Sequence, residues 1–171
     1  VPSDTDDDTE FDIGAVNIEQ NSNRTPINYV LPPGIQRQQI NQGNSSTLRQ
    51  LNEQSLSLRV CGLKDGDARA AFKNVQFDVR RYKRFKMFVH AEKRGDNEIN
   101  DGDLTCFVRF GTDYVNNYYE YEIPLTFTDW GELDSLKIWP DSNFFDFPFE
   151  VLLNAKQDRN AQGVPQSQPF Y

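Results

Sequence analysis

The side chains able to do chemistry are few. His90 is the single histidine of the 171-residue chain, and Glu92 sits two positions on. A nucleophile and base need a third group and a fixed geometry, which this pair does not supply, so His90 reads as a structural strand histidine. The sequence holds no glycine-rich phosphate loop, HExxH run or GxSxG elbow. It singles out no carboxylate pair of the kind a glycoside hydrolase needs, so no catalytic residue is assigned. Asp65 and Asp67 in Lys64-Asp65-Gly66-Asp67, with Asp101 and Asp103 in Asn100-Asp101-Gly102-Asp103, place hard oxygen donors in turns, which is calcium chemistry. Neither loop has the EF-hand spacing with its distal Glu, and Asp-Gly-Asp is equally turn chemistry. Calcium is thus the one cofactor in view. Two thiols, Cys61 and Cys106, with one histidine make a poor zinc set. They would pair in an oxidising compartment or serve as small buried apolar residues.

Binding is the better-represented possibility. Tyr114, Tyr118, Tyr119, Tyr121 and Trp130 offer aromatic rings to a sugar or a peptide. The period of two puts Tyr119 and Tyr121 on one strand face and Tyr118 with Glu120 on the other, so one set faces a core. The basic run from Arg80 to Lys86, which includes Arg81 and Arg84, suits an acidic partner, although alternating basic and aromatic residues also describe a half-exposed strand. The candidate partner contacts are therefore Tyr118, Tyr119, Tyr121, Arg81 and Arg84.

Composition bounds the scaffold that holds these residues. Thirteen Phe, seven Tyr and two Trp against one Met favour strands over helices. Acidic residues outnumber basic ones by 26 to 18, a formal charge of −8, which argues against nucleic acid. Asp4, Asp6, Asp7, Asp8, Glu10 and Asp12 crowd the first dozen positions and read as a solvated tail. No apolar run is long enough to span a membrane, and no signal segment opens the chain. The start without Met and the end at Tyr171 look like cuts in a longer protein.

Residues 1 to 52 are rich in Asn, Gln, Ser, Pro and Asp and read as an extended polar arm. Within it, Tyr29-Val30-Leu31 ahead of Pro32-Pro33-Gly34 is expected to lie extended along a sheet. Residues 53 to 171 form the folded domain. Alternation predicts strands at 56 to 61, 75 to 79, 85 to 90, 104 to 110 and 118 to 123, with another at 135 to 139. A short helical turn is expected at 68 to 72. A C-terminal helix near 147 to 160 is expected, with Asp146 as N-cap and Pro148 in the first turn. Strands recurring with turns between them predict a mainly β, antiparallel jelly-roll-like sandwich.

The wording of several phrases is more specific than their pattern. These are Asn28-Tyr29-Val30-Leu31-Pro32-Pro33-Gly34-Ile35, Ser57-Leu58-Arg59-Val60-Cys61 and the stretch from Asp65 to Val75. They continue with Arg81-Tyr82-Lys83-Arg84-Phe85-Lys86-Met87-Phe88-Val89-His90-Ala91-Glu92, Val108-Arg109-Phe110-Gly111-Thr112-Asp113-Tyr114, and the stretch from Asn117 to Leu125. In order, from about 24 to 160, they resemble the SprA/Sov family. That resemblance implies a part of the very large outer-membrane translocon of type IX protein secretion in Bacteroidota, which in some organisms also serves gliding motility. The barrel wall would need many lipid-facing strands. The part at hand is therefore expected to be a non-catalytic, soluble portion on the periplasmic or extracellular face. Its implied partners are the rest of the barrel, a partner outer-membrane barrel or plug, and secreted cargo. The order of elements is also similar to that of carbohydrate-binding jelly rolls, related to galactose-binding folds. A carbohydrate-binding module, with or without calcium, is thus the second function in view, although fold alone supports no site.

Overall fold

The computed structural model describes residues 8–41, 48–75, 78–95 and 98–171. The chain divides into two compact units, Val1–Gln76 and Phe77–Tyr171. Asp4, Asp6 and Asp7 of the expected acidic tail lie outside the described residues, but Glu10 and Asp12 do not belong to a tail. They sit on strand β1, Glu10–Asn17, which pairs antiparallel with β4, Gln54–Cys61, in the register Ile13 to Leu58. Its scattered apolar residues find their partners some 40 positions further along the chain. The polar composition around them hides that pairing.

In this first unit, Asn17 caps the short helix α1, Ile18–Asn21, by accepting from the Gln20 amide. The chain then returns across the β1–β4 ribbon, as expected for the segment before Pro32. Tyr29 is buried, its hydroxyl 2.8 Å from Ser55 Oγ and its amide bonded to the Asn21 carbonyl. Ile27 is buried beside it in sequence. The strand predicted at 56 to 61 is present as β4. The Tyr29 segment bonds to the face carrying Ser55, while Ile13, Leu56 and Leu58 face solvent. A second ribbon joins β2, Gln39–Asn41, to β3, Leu48–Gln50.

The second unit is built on period-two alternation. Strand β5, Arg84–Met87, pairs with β8, Phe145–Pro148, while β6, Thr105–Gly111, pairs with β7, Tyr118–Pro124; both pairs are antiparallel. Phe85 and Met87, Phe145 and Phe147, Cys106, Val108 and Phe110, and Tyr119, Tyr121 and Ile123 all turn to one shared core, roofed by Leu152. Phe145 and Phe147 are almost fully buried. The Phe147 ring stacks on Tyr121 at 4.1 Å, and Phe85 meets Phe110 edge-on at 5.2 Å. Burial of each such ring stabilises the fold by roughly 1.5–3 kcal/mol.

The mainly β, antiparallel character follows the sequence. Among the described residues the strands form four separate two-stranded ladders, where a jelly roll would have larger sheets. Three local expectations change. Residues 135 to 139 form not a strand but helix α2, Ser135–Ile138, because the Asp134 carboxylate accepts from the Leu136 amide and caps it. Asp146 is no N-cap: it is a β8 residue opposite Lys86, and helix α3, Glu150–Ala161, starts after Phe149 with no side-chain cap. Residues 68 to 72 form no helical turn, and of the strand expected at 75 to 79, positions 76 and 77 lie outside the described residues. Val79–Arg81 is a single turn of 3-10 helix.

Candidate functional site

The outward face of β6 and β7 is a grid of rings and charges centred on Arg109. Its guanidinium lies 4.8 Å from the Phe107 ring and 4.2 Å from the Tyr118 ring, bonds the Glu120 carboxylate, and donates to the Tyr114 carbonyl at 2.8 Å. Of the three candidate tyrosines, Tyr118 thus belongs to this outer grid, whereas Tyr119 and Tyr121 pack on the core. The connection between the two strands is organised by Asp113. One carboxylate oxygen accepts from the amides of Val115, Asn116 and Asn117, and the other accepts from the Asn117 side chain. These bonds to the charged form, led by that from Asn116, hold its pKa down to about 2.

On the outward face of β5 and β8, Arg84 bonds the Asp146 carboxylate, and Lys86 lies 3.6 Å from its other oxygen and 5.9 Å from the Phe144 ring. The Arg84 bond is the main reason that Asp146 titrates below the usual carboxylate range. Arg81 lies on the preceding 3-10 turn, exposed. Among the two candidate arginines, Arg84 is therefore already engaged within the chain.

His90 faces inward instead. Its Nδ1 lies 2.8 Å from the Ile138 carbonyl at the end of α2, its Nε2 lies 3.5 Å from Glu92, and its ring meets Trp139 edge-on. A carbonyl only accepts, so Nδ1 carries the hydrogen and cannot serve as base to the Thr128 hydroxyl 3.3 Å away. His90 ties the segment that follows β5 to the end of α2. Both cysteines are free thiols: Cys61 ends β4 in the first unit, and Cys106 of β6 lies against the second unit's core, where burial pushes its thiol up.

The four candidate calcium ligands fall in separate units. Asp65 and Asp67 are exposed in the first, where Asp67 approaches Arg69 at 4.0 Å. In the second, Asp103 accepts from the Asn100 amide and closes a turn, while Asp101 accepts from the Phe127 amide and ties two segments together, so both carboxylates are engaged within the chain. Among the described residues no three His, Cys, Asp or Glu side chains converge as a metal set.

An open cleft of about 1070 Å³ lies in the second unit, lined by Lys93, Asp101, Phe127, Asp129, Trp130 and Lys137 among others. Trp130 is 54% exposed there, while Trp139 is 7% exposed. The indole N–H of Trp130 donates to the Lys93 carbonyl at 3.1 Å, and Lys93 Nζ lies 5.3 Å from the Phe127 ring. The wall behind is rigid: the fully buried Asn143 bonds both the amide and the carbonyl of Thr126 at 2.8 Å. Glu132 accepts from the Leu133 and Asp134 amides and bridges Lys137 at 3.1 Å. The bond from Asp134, chief among these, lowers the pKa of Glu132. Sequence reasoning reached Trp130 but not its surroundings, since Lys93, whose carbonyl holds the ring, lies 37 positions away in the chain. The available signal was a tryptophan in the turn Asp129-Trp130-Gly131.

Compared with known protein families, the chain matches over residues 1–171 the family SprA_N, described as motility related/secretion protein. No curated protein matches it.

Proposed function

The chain belongs to the SprA_N family of motility related/secretion proteins, and from that premise we propose that it is a non-catalytic structural and interaction domain of the type IX secretion translocon. In this reading it is a portion held at the outer membrane of Bacteroidota, on the periplasmic or extracellular face. There it contacts the remainder of the translocon barrel, a partner barrel or plug, or passing cargo. The observation that carries the reading is that the family match spans the whole chain rather than a motif within it.

The surface chemistry supports contact over catalysis. Ile13 and Leu58, cross-strand partners on the β1–β4 ribbon, are exposed together with Leu56, and contiguous exposed apolar side chains mark interaction surfaces. The translocon barrel is the occupant we assign to that face. No helix among the described residues is long and apolar enough to cross a membrane.

The test is a pulldown with the immobilised chain against solubilised outer-membrane extract, with retained proteins identified by mass spectrometry. Retention of the translocon barrel, lost in the Ile13→Ser/Leu58→Ser variant, is expected. A barrel present in the input but absent from the eluate rejects the reading.

A further inference from the structure

We propose that the Trp130 cleft of the second unit is a binding site for a neutral oligosaccharide. The inference goes beyond the secretion reading and does not depend on it, because it rests on the geometry of one cleft.

The first argument is the ring. Trp130 leaves 54% of its surface to water, so burial of its own apolar area accounts for less than half of the ring. The bond from Nε1 to the Lys93 carbonyl fixes the ring, which leaves its π-face as the interacting element. An aromatic face carries negative charge density and attracts the weakly positive C–H hydrogens on the flat side of a pyranose. The fixed ring therefore acts as a stacking platform that loses little freedom on binding.

The second argument is the polar lining. A sugar ring presents vicinal hydroxyls that both donate and accept, so its site needs both kinds of partner. The cleft supplies ammonium donors at Lys93 and Lys137 and carboxylate acceptors at Asp129 and Asp141. Counting Asp101 and Glu132 as well, four carboxylates face two lysines. That balance disfavours phosphate and acidic sugars, while the mixture of charges disfavours a purely apolar ligand. The third argument is size and rigidity. At about 1070 Å³ the cleft lies just above the roughly 300–1,000 Å³ common for small-ligand sites, more than one monosaccharide fills. Its wall is pinned by the buried Asn143 and by the Asp101 bond to the Phe127 amide, so the site is formed before ligand arrives. Direct stacking and direct hydroxyl bonds leave no step for a bridging metal.

The labelled chain is screened against an array of neutral and acidic glycans in buffer containing EDTA. Hits are followed by calorimetric titration of the wild type, Trp130→Ala and Trp130→Phe. Neutral glycans are expected to bind, with Trp130→Ala about tenfold weaker, the size of one lost stacking contact, and Trp130→Phe in between, since it keeps a ring and loses the anchoring bond. Unchanged circular dichroism of the variants establishes that they fold. The proposal is overturned by an array blank for neutral glycans, by a preference for acidic glycans, or by affinity unchanged in Trp130→Ala. A basic peptide that displaces the glycan hits and binds more tightly than they do also overturns it. None of these outcomes bears on retention of the translocon barrel, so the two readings fail separately.

Discussion

Asp113 is a surface residue with a structural task, since its carboxylate gathers three backbone amides and one side-chain amide at the β6–β7 connection. Its pKa is about 2 in the folded chain against an ordinary 3.8, so its contribution is fully present above pH 4 and fades as pH falls from 4 toward 2. Asp113→Asn is therefore expected to unfold at a lower temperature than wild type at pH 6, with the gap closing at pH 2. Thermal melts across that window check it. Gly111, at the end of β6, is fixed by space rather than by backbone angle. A Cβ there would sit 2.2 Å from the Asn117 carbonyl oxygen and 2.7 Å from the Tyr118 Cα, backbone atoms that cannot swing away. Gly111→Ala is expected to cost about 1–3 kcal/mol, read by urea denaturation as a lower midpoint.

At the scale of elements, the second unit is held by the inward faces of its four strands and by Leu152 of α3. Phe145→Ala, at the centre of that core, is expected to destabilise by about 3–5 kcal/mol. Leu133→Ala, at an exposed position, should stay within about 0.5 kcal/mol. Denaturant titrations of both give the comparison. Three of these strands, β5, β6 and β7, were legible because alternation is local: the hydrophobic residues at 85 and 87, 106 to 110 and 119 to 123 announce their conformation, whereas the choice of inner face on β7 belongs to the packing. What escaped was non-local or decided by one side chain. β1 lacks a strand-like neighbourhood and exists through its pairing with β4. Ser135–Ile138 has the composition of a strand but is capped into a helix by Asp134. Asp146 carries every local mark of an N-cap, yet the ladder with β5 and the Arg84 pair hold it in β8. The candidate site was legible to the same extent, because a ring at position 130 is visible in sequence whereas the carbonyl of Lys93 that fixes it belongs to the fold.

At the scale of the whole molecule, the two compact units predict that residues 77–171 fold when expressed alone. A well-dispersed amide spectrum with a cooperative melt is the expected result, and a collapsed spectrum contradicts it. The order in which that unit can form follows from β8 and α3. The three buried core residues Phe145, Phe147 and Leu152 all come from the last third of the chain, while the strand that β8 pairs with, β5, ends at Met87. During synthesis the ribosome delivers Phe145 58 positions after Met87, a wait of roughly 3–12 s at ~5–20 residues per second. Through that interval Phe85, Val108, Phe110 and Tyr121 have no floor to rest on. The core of the unit therefore closes late, when β8 arrives, and until then the apolar faces of its earlier strands stay uncovered.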